Sequence, residues 1–136
     1  MITKFCASDS IDPRIRQPPR RAETAKLFAE AGFIAITAFI SPYRSDRARA
    51  RQVLQEGNLA IPFSEVFVDA PLAVCEARDP KQLYAKARAG TIKEFTGISA
   101  PYEPPDAPEL ALRTDHSSVQ EEVAAILDHL LGRIRT

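Results

Sequence analysis

The feature that most constrains the fold is an apolar run, FIAITAFI, at residues 33–40. Its side chains are mainly β-branched or aromatic, and polar residues do not alternate with them. Such a run is typical of a strand that is covered on both faces, as in a parallel sheet. Phe63–Asp69 predicts a second strand, and Leu110–Thr114 predicts a third, short one.

Helical patterns alternate with these strands. Apolar residues recur at helical spacing over residues 20–31, and Gly32 follows where a helix commonly ends. Ser118 and Glu121 have the capping-box pattern that opens a final helix. The alternation predicts an α/β domain with a doubly wound sheet. Further helices are predicted at residues 46–55, 72–77 and 81–89, and the apolar face of the last helix comprises Val119, Val123, Ile126, Leu127, Leu130 and Leu131.

Residues 1–19 differ in character from the rest of the chain. They show no apolar period and contain Pro13, Pro18 and Pro19, which remove backbone donors and bias the preceding residue toward extended conformations. We expect an irregular lead-in at residues 1–19, followed by one domain at residues 20–136. The whole chain has 136 residues, near the commonest size of a single domain.

Charge and cysteine content limit the classes of partner and the redox setting that we expect for the chain. Its 18 basic and 18 acidic residues cancel, so no overall field attracts nucleic acid or an acidic membrane. No apolar run approaches the length of a membrane span, and we expect neither partner. Cys6 and Cys75 have no metal-ligand spacing and no disulfide framework, which favours a reduced, cytoplasmic setting. The basic runs at residues 14–21 and 44–51 are interpreted as solvated faces.

Three features could carry chemistry, and each also has a purely structural interpretation. Ser41 follows the first strand at the edge where open α/β sheets bind ligands, or it caps the next helix. Phe95 stacks on a ligand such as a purine, or it packs beneath its own loop. A group of cations either faces water or offsets phosphate charge. Its members are Arg78, Lys81, Lys86, Arg88 and Lys93.

A family resemblance rests on three stretches of sequence. Residues 75–90, CEARDPKQLYAKARAG, and residues 91–102, TIKEFTGISAPY, together resemble the substrate lid of adenylylsulfate kinase. This enzyme moves a phosphate from ATP to the ribose 3′-hydroxyl of adenosine 5′-phosphosulfate. Residues 39–44, FISPYR, are similar to another motif of the family. The resemblance covers about residues 20–131, with Ser99 where an Asp is usual, and we expect no match before Arg20.

The resemblance implies which residues contact the acceptor substrate. Ile40 and Ser41 line the phosphosulfate, and Lys81, Glu94 and Phe95 are further contacts, with Phe95 stacked on the adenine. Ser41 is the candidate catalytic residue, since it is assigned as a phosphoserine intermediate in some members of the family. Because no neighbouring residue in the sequence supplies a base, we expect direct in-line transfer, with Ser41 in a positioning role.

ATP and Mg²⁺ are the further ligands that the resemblance implies, and the fold it implies is a three-layer P-loop kinase-like parallel sheet with helices on both faces. No Gly-x-x-x-x-Gly-Lys-Ser/Thr motif occurs in the 136 residues, and the family's Asp-Gly-Asp-Asn segment is also absent. The magnesium ligands and the phosphate cradle belong to those segments. The sheet is therefore expected to miss its N-terminal phosphate-loop strand, leaving the strand at residues 33–40 and its neighbour without a shared partner. The nucleotide-side residues are Arg78, Asp79 and Ser117.

Three hypotheses of function follow. The chain is a shortened adenylylsulfate kinase, or a non-catalytic remnant that binds an adenine nucleotide or a partner chain, or a subunit completed in trans by another polypeptide. A homodimer, or a fusion or partnership with sulfate adenylyltransferase, is compatible with each. We expect the 136 residues alone to have negligible kinase activity.

Overall fold

Four parallel strands form the sheet in the computed structural model, which describes residues 2–4, 18–57, 59 and 61–134. Their order across the sheet is β2-β1-β3-β4. The predicted α/β class, the parallel sheet and its flanking helices are confirmed. The strands are β1 (Ile2–Lys4), β2 (Ala38–Phe39), β3 (Val66–Asp69) and β4 (Leu110–Arg113).

β1 lies in the interior of the sheet and pairs with both β2 and β3. Ile2 is in register with Ala38 on one side and with Val66 on the other. The expectation that these two strands lack a shared partner is therefore wrong. The physical reason is that N–H and C=O groups inside a sheet need partners, and a three-residue strand supplies them here.

The interpretation of residues 1–19 as irregular is also wrong in part. Residues 2–4 form β1, and the first helix already begins at Pro18. Proline is tolerated in the first turn of a helix because the N–H groups there have no intrahelical partner. Residues 5–17, including Cys6 and Arg14, lie outside the described residues.

Most of the apolar run at residues 33–40 is not strand. Only Ala38 and Phe39 join the sheet, and the side chains of Phe33 and Ile36 are 65% and 64% exposed. The predicted strand, covered on both faces, is wrong for residues 33–37. β1 pairs with β2 at Ala38 and Phe39, and residues 33–37 lie outside the sheet.

The predicted helices are present, and their predicted ends coincide with the observed ends or differ from them by one or two residues. Gly32 follows the first of them with φ of +89°, and the Phe33 N–H donates to the Phe28 carbonyl at 3.0 Å. This is the left-handed helix end that the glycine predicted. The helices are α1 (Pro18–Glu30), α2 (Arg44–Gln55), α3 (Leu72–Arg78), α4 (Leu83–Arg88) and α5 (Val119–Ile134).

Two separate groups of buried apolar side chains hold these elements. One joins α1 and α2 to the approach of β3. The other lies beyond β3, where α3, α4 and the loop after α4 pack together. We call residues 79–100 the lid segment and residues 101–106 the return segment. The first group is Ala22, Ala50, Val53, Leu54 and Phe63, and the second is Ala70, Cys75, Tyr84, Ala87 and Phe95.

α5 begins with the predicted capping box. The Glu121 N–H donates to Ser118 Oγ at 3.3 Å, and the Ser118 N–H donates to Glu121 Oε2 at 2.8 Å. The apolar face of α5 is only partly covered. Ile126 and Leu130 are half-buried, whereas the exposed members are Val119, Val123, Leu127 and Leu131. No helix among residues 2–4, 18–57, 59 and 61–134 is long and apolar enough to cross a bilayer.

Candidate functional site

The carboxyl ends of β2, β3 and β4 bring three loops to one edge of the sheet. Because the strands are parallel and Asp69 is in register with Arg113, the loops after these strands leave the sheet on the same side. The Thr114 N–H donates to the Asp69 carbonyl at 2.9 Å and ties two of the loops together. In open α/β sheets this edge is the usual place for a ligand.

Residues 40–43, which connect β2 to α2, form the Ser41 loop. The backbone of this loop is constrained. Ser41 has φ of +40°, a left-handed conformation that is costly for a residue with a Cβ. α2 begins at Arg44 with Tyr43 at its N-cap and no side-chain cap, so the alternative that Ser41 caps this helix is wrong. Its neighbour Ile40 is half-buried.

Arg78 and Asp79 sit at the base of the lid segment. The Asp79 carboxylate accepts hydrogen bonds from the Leu83 N–H at 2.8 Å and the Ala85 N–H at 3.0 Å, so it holds the first turn of α4. Arg78 Nη2 donates to the Thr114 carbonyl at 2.7 Å. The base of the lid segment is therefore fastened to the loop that follows β4.

Ser117 lies in that loop, and its hydroxyl is occupied by local contacts. The hydroxyl donates to the Arg113 carbonyl at 2.9 Å and lies 2.9 Å from Glu122 Oε1. Nearby, Arg113 pairs with Asp115 at 3.2 Å. The hydrogen bond from Arg113 lowers the pKa of Asp115 below its usual value. This loop presents fixed charges beside the edge of the sheet.

Phe95 is the aromatic centre of the lid segment. Its side chain is only 8% exposed, and its ring meets Tyr84 edge to face with centroids 5.1 Å apart. The Phe95 N–H donates to Ser99 Oγ at 2.9 Å. Ser99, the residue that stands where an Asp is usual, therefore orders the loop. This arrangement agrees with the structural interpretation of Phe95, in which the ring packs beneath its own loop.

The cations of the lid segment differ in their surroundings. Lys81, Lys86 and Lys93 are exposed, whereas Arg88 pairs with Glu76 at 2.6 Å and braces α4 against α3. Glu94 is exposed as well and has φ of +53°. The lid segment therefore exposes several positively charged side chains.

The described residues offer no preformed cluster of ligands for a metal ion. No group of three or more His, Cys, Asp or Glu side chains that could hold a metal occurs within them. Mg²⁺ prefers oxygen ligands in octahedral geometry, usually carboxylates together with substrate phosphates.

Arg47 and Arg51 are more buried than the sequence indicated. The run at residues 44–51 was interpreted as a solvated face, which is wrong for these two side chains. Arg47 is 3% exposed and pairs through Nε with Glu65 at 2.7 Å, and Arg51 pairs with Glu109 at 2.5 Å and 2.8 Å. A signal was available, because Arg47 shares the buried helical period of Ala50 and Leu54.

The Glu109 carboxylate gives this cluster a dependence on pH. Burial alone raises the pKa of Glu109, but hydrogen bonds from Arg51 and from the Glu65 N–H outweigh it and lower the pKa from 4.5 to about 2. Because the pKa is lower in the folded state, the carboxylate stabilises the fold above about pH 4.5. That contribution is lost as the pH falls toward 2.

We expect Glu109→Gln to flatten the acid limb of the stability profile. The wild type should lose about 2 kcal/mol of unfolding free energy at this site between about pH 5 and pH 2, allowing for partial exposure of the group. Urea unfolding at several pH values measures the loss, with Glu56→Gln on the exposed end of α2 as the control. Parallel acid profiles for wild type and Glu109→Gln would contradict the assignment.

The sequence of this chain is similar to that of a known protein family. The model of the family described as "Adenylylsulphate kinase" matches residues 8–113. The match begins before Arg20, so the expectation that the earlier segment does not match is wrong for residues 8–19. Adenylyl-sulfate kinase of Saccharomyces cerevisiae is 59% identical over 113 residues, which are 83% of this chain and 55% of the relative. That of Marinobacter nauticus is 51% identical over 124 residues, 91% of this chain and 60% of the relative.

Solved structures are similar as well. A Mycobacterium tuberculosis APS kinase in complex with AMPPNP and APS superposes with a TM-score of 0.63 at 42% identity, covering 81% of this chain and 66% of that one. The crystal structure of APE1195 gives a TM-score of 0.71 at 35% identity, with coverages of 94% and 68%. The chain spans about half the length of the curated relatives that it matches, 55% for the yeast protein.

Proposed function

Because the chain belongs to the adenylylsulfate kinase family, we propose that it serves the transfer of a phosphate from ATP to the 3′-hydroxyl of adenosine 5′-phosphosulfate. One observation carries the proposal. The Ser41 loop and the return segment, which follows the lid segment, meet at the carboxyl edge of the sheet, where the Glu103 N–H donates to the Pro42 carbonyl at 2.8 Å. Two segments about 60 residues apart are thus in direct contact.

In this proposal the acceptor lies between the Ser41 loop and the lid segment. Ile40 and Ser41 contact the phosphosulfate group, and Lys81 and Glu94 contact the acceptor from the lid side. Ser41 acts by position, since Arg47 Nη1 donates to its carbonyl at 2.6 Å and in-line transfer needs alignment more than a covalent intermediate. The positive charge of the lid segment would offset the charge that develops on the transferred group.

The donor nucleotide is assigned to the base of the lid segment. Arg78 is fastened at the Thr114 carbonyl and would present its exposed guanidinium to phosphate or adenine. Asp79 acts indirectly, because its carboxylate holds the first turn of α4. Ser117 would border the nucleotide through its backbone, since its hydroxyl is occupied. We assign this reaction to a reduced, cytoplasmic setting, which the two cysteines without a disulfide framework favour.

A second candidate function is binding without transfer. It is favoured because the 136 residues contain no phosphate-loop motif and because no three-residue metal cluster occurs in the described part of the chain. The polypeptide would then bind an adenine nucleotide or a partner. That partner would be a chain that completes the site in trans, a second copy, or sulfate adenylyltransferase. Titration with adenosine 5′-phosphosulfate, ATP and their mixture shows whether the chain binds either nucleotide by itself.

Phe95→Leu tests the acceptor site. Leucine keeps an apolar side chain in the lid core but offers no ring to stack on adenine, and base–aromatic stacking contributes about 1–3 kcal/mol. We expect the Kd for adenosine 5′-phosphosulfate, measured by calorimetry, to rise by about tenfold. Tyr84→Leu is the matched control, because it removes the same edge-to-face contact and leaves Phe95 in place. Equal affinities for wild type and Phe95→Leu would remove the stacking role.

A further inference from the structure

Arg47 is a buried cation to which the proposed site gives no role. It lies in the first turn of α2 and is 3% exposed. Its Nε pairs with Glu65 Oε1 at 2.7 Å, just before β3. Burying a guanidinium is costly unless every donor has a partner, so its remaining contacts indicate what it does.

The two terminal nitrogens of Arg47 bind main-chain carbonyls in two different loops. Nη1 donates to the Ser41 carbonyl at 2.6 Å, and Nη2 donates to the Glu103 carbonyl at 2.6 Å. Ser41 is one of the three non-glycine residues with positive φ in the described chain. A charged donor on its carbonyl stabilises this otherwise costly backbone conformation.

Additional contacts fasten the return segment to the same place. The Arg44 N–H donates to Glu103 Oε2 at 2.7 Å, and Arg44 Nε donates to the Pro104 carbonyl at 2.7 Å. The return segment is therefore joined to the start of α2 by Arg44 as well as by Arg47. Glu65 holds the guanidinium from the side of the sheet.

We propose that Arg47 is a positioning residue that holds the Ser41 loop and the return segment in one fixed relation, so that both sides of the acceptor site are ordered together. The proposal rests on the proposed function for its ligand. It concerns a side chain that contacts neither substrate, because its three nitrogens are used by Glu65, Ser41 and Glu103.

The role needs an arginine. A guanidinium is a rigid planar fork whose donors point in separate directions, whereas an ammonium is a point charge on a flexible stem. A lysine at this position could keep the ion pair with Glu65 but could not reach both carbonyls in the same geometry. Arg47→Lys therefore separates the charge of the residue from its positioning role.

Arg51→Lys is the matched control. Arg51 lies one turn further along α2, pairs with Glu109 at 2.5 Å and lies 3.7 Å from Glu65. Its described contacts include no carbonyl of the Ser41 loop or the return segment. Both variants alter an ion pair at the same helix face, so a purely structural role predicts equal consequences for ligand affinity.

The test combines calorimetric titration with adenosine 5′-phosphosulfate and hydrogen exchange of the full 136-residue chain. We expect Arg47→Lys to raise the Kd about tenfold and to speed exchange at residues 39–43 and 101–106. Arg51→Lys should leave the Kd within about twofold and leave exchange in both segments unchanged. If Arg47→Lys does not fold, Glu65→Gln replaces it, because this change removes the charge of the carboxylate that orients the guanidinium. Glu65→Gln is expected to speed exchange in both segments.

The outcomes are distinguishable. Unchanged affinity in Arg47→Lys, or equal losses in both variants, would overturn the positioning role. If the wild type does not bind adenosine 5′-phosphosulfate, the proposed function fails, and exchange alone decides the role of Arg47. Faster exchange in both segments for Arg47→Lys alone then supports it, and any other exchange pattern overturns it. If Glu65→Gln has to replace an unfolded Arg47→Lys, unchanged exchange in either segment overturns it.

Discussion

Purified on its own, the 136-residue polypeptide is expected to form 3′-phosphoadenylylsulfate at least about a thousandfold more slowly than the Marinobacter nauticus relative, of which it covers 60%. The reason is electrostatic. Phosphoryl transfer depends on groups that hold and neutralise the γ-phosphate, and single groups of this kind contribute about 10³-fold or more to the rate. The 136 residues contain no phosphate-loop motif.

A coupled assay for product nucleotide, with the relative as the positive control, measures this rate. A chimera tests the cause, with the amino-terminal part of the relative that precedes the matched region joined to this chain. We expect the chimera to recover activity, because the acceptor side is supplied by the Ser41 loop and the lid segment. Robust magnesium-dependent turnover by the 136 residues alone would contradict the expectation and would require another phosphate clamp.

Glu65→Ala is expected to destabilise the fold by about 3 kcal/mol. The change leaves the buried Arg47 guanidinium without its carboxylate at 2.7 Å, and removing one partner of a buried pair costs about 3–5 kcal/mol. The lower end applies because Arg47 keeps two carbonyl acceptors. Urea unfolding with a fixed m-value measures the loss.

Two comparisons show whether burial is the cause. Glu56→Ala also removes an acidic partner of α2, but its pair with Arg49 at 3.1 Å is exposed, so we expect a change within about 0.5 kcal/mol. Replacing both partners by apolar residues, as in Glu65→Leu with Arg47→Met, should recover part of the loss. If Glu65→Ala and Glu56→Ala cost the same, the buried pair does not stabilise this fold.

The elements of the fold were largely predictable because their signals are local. Gly32 and the Ser118–Glu121 pair mark helix ends through interactions within a few residues, so they do not depend on the rest of the chain. The run at residues 33–40 was misleading for the opposite reason. Apolar character shows that a segment can be covered, but the length of a strand depends on the neighbour that pairs with it, and β1 pairs with only two of these residues.

The candidate site was predictable only in part. Ser41, Phe95 and the cations of the lid segment were identified from their positions after a strand, on a loop and beside a helix. The hydrogen bonds of the Asp79 and Ser117 side chains could not be predicted from the sequence, because the backbone groups that they contact come near only in the folded loops. Arg47 was missed because charge runs are usually solvated, and its partner Glu65 is 18 residues away along the chain.

The sequence by itself determined the resemblance to the family, the α/β class and the approximate positions of the helices. These properties follow from side-chain type and short-range spacing. Only the tertiary structure decided that β1 lies between β2 and β3, that Phe95 is buried against Tyr84, and that Arg47 joins the Ser41 loop to the return segment. Each of these depends on pairing across many residues of chain, where hydrogen bonds and buried charges select one partner among several that the sequence allows.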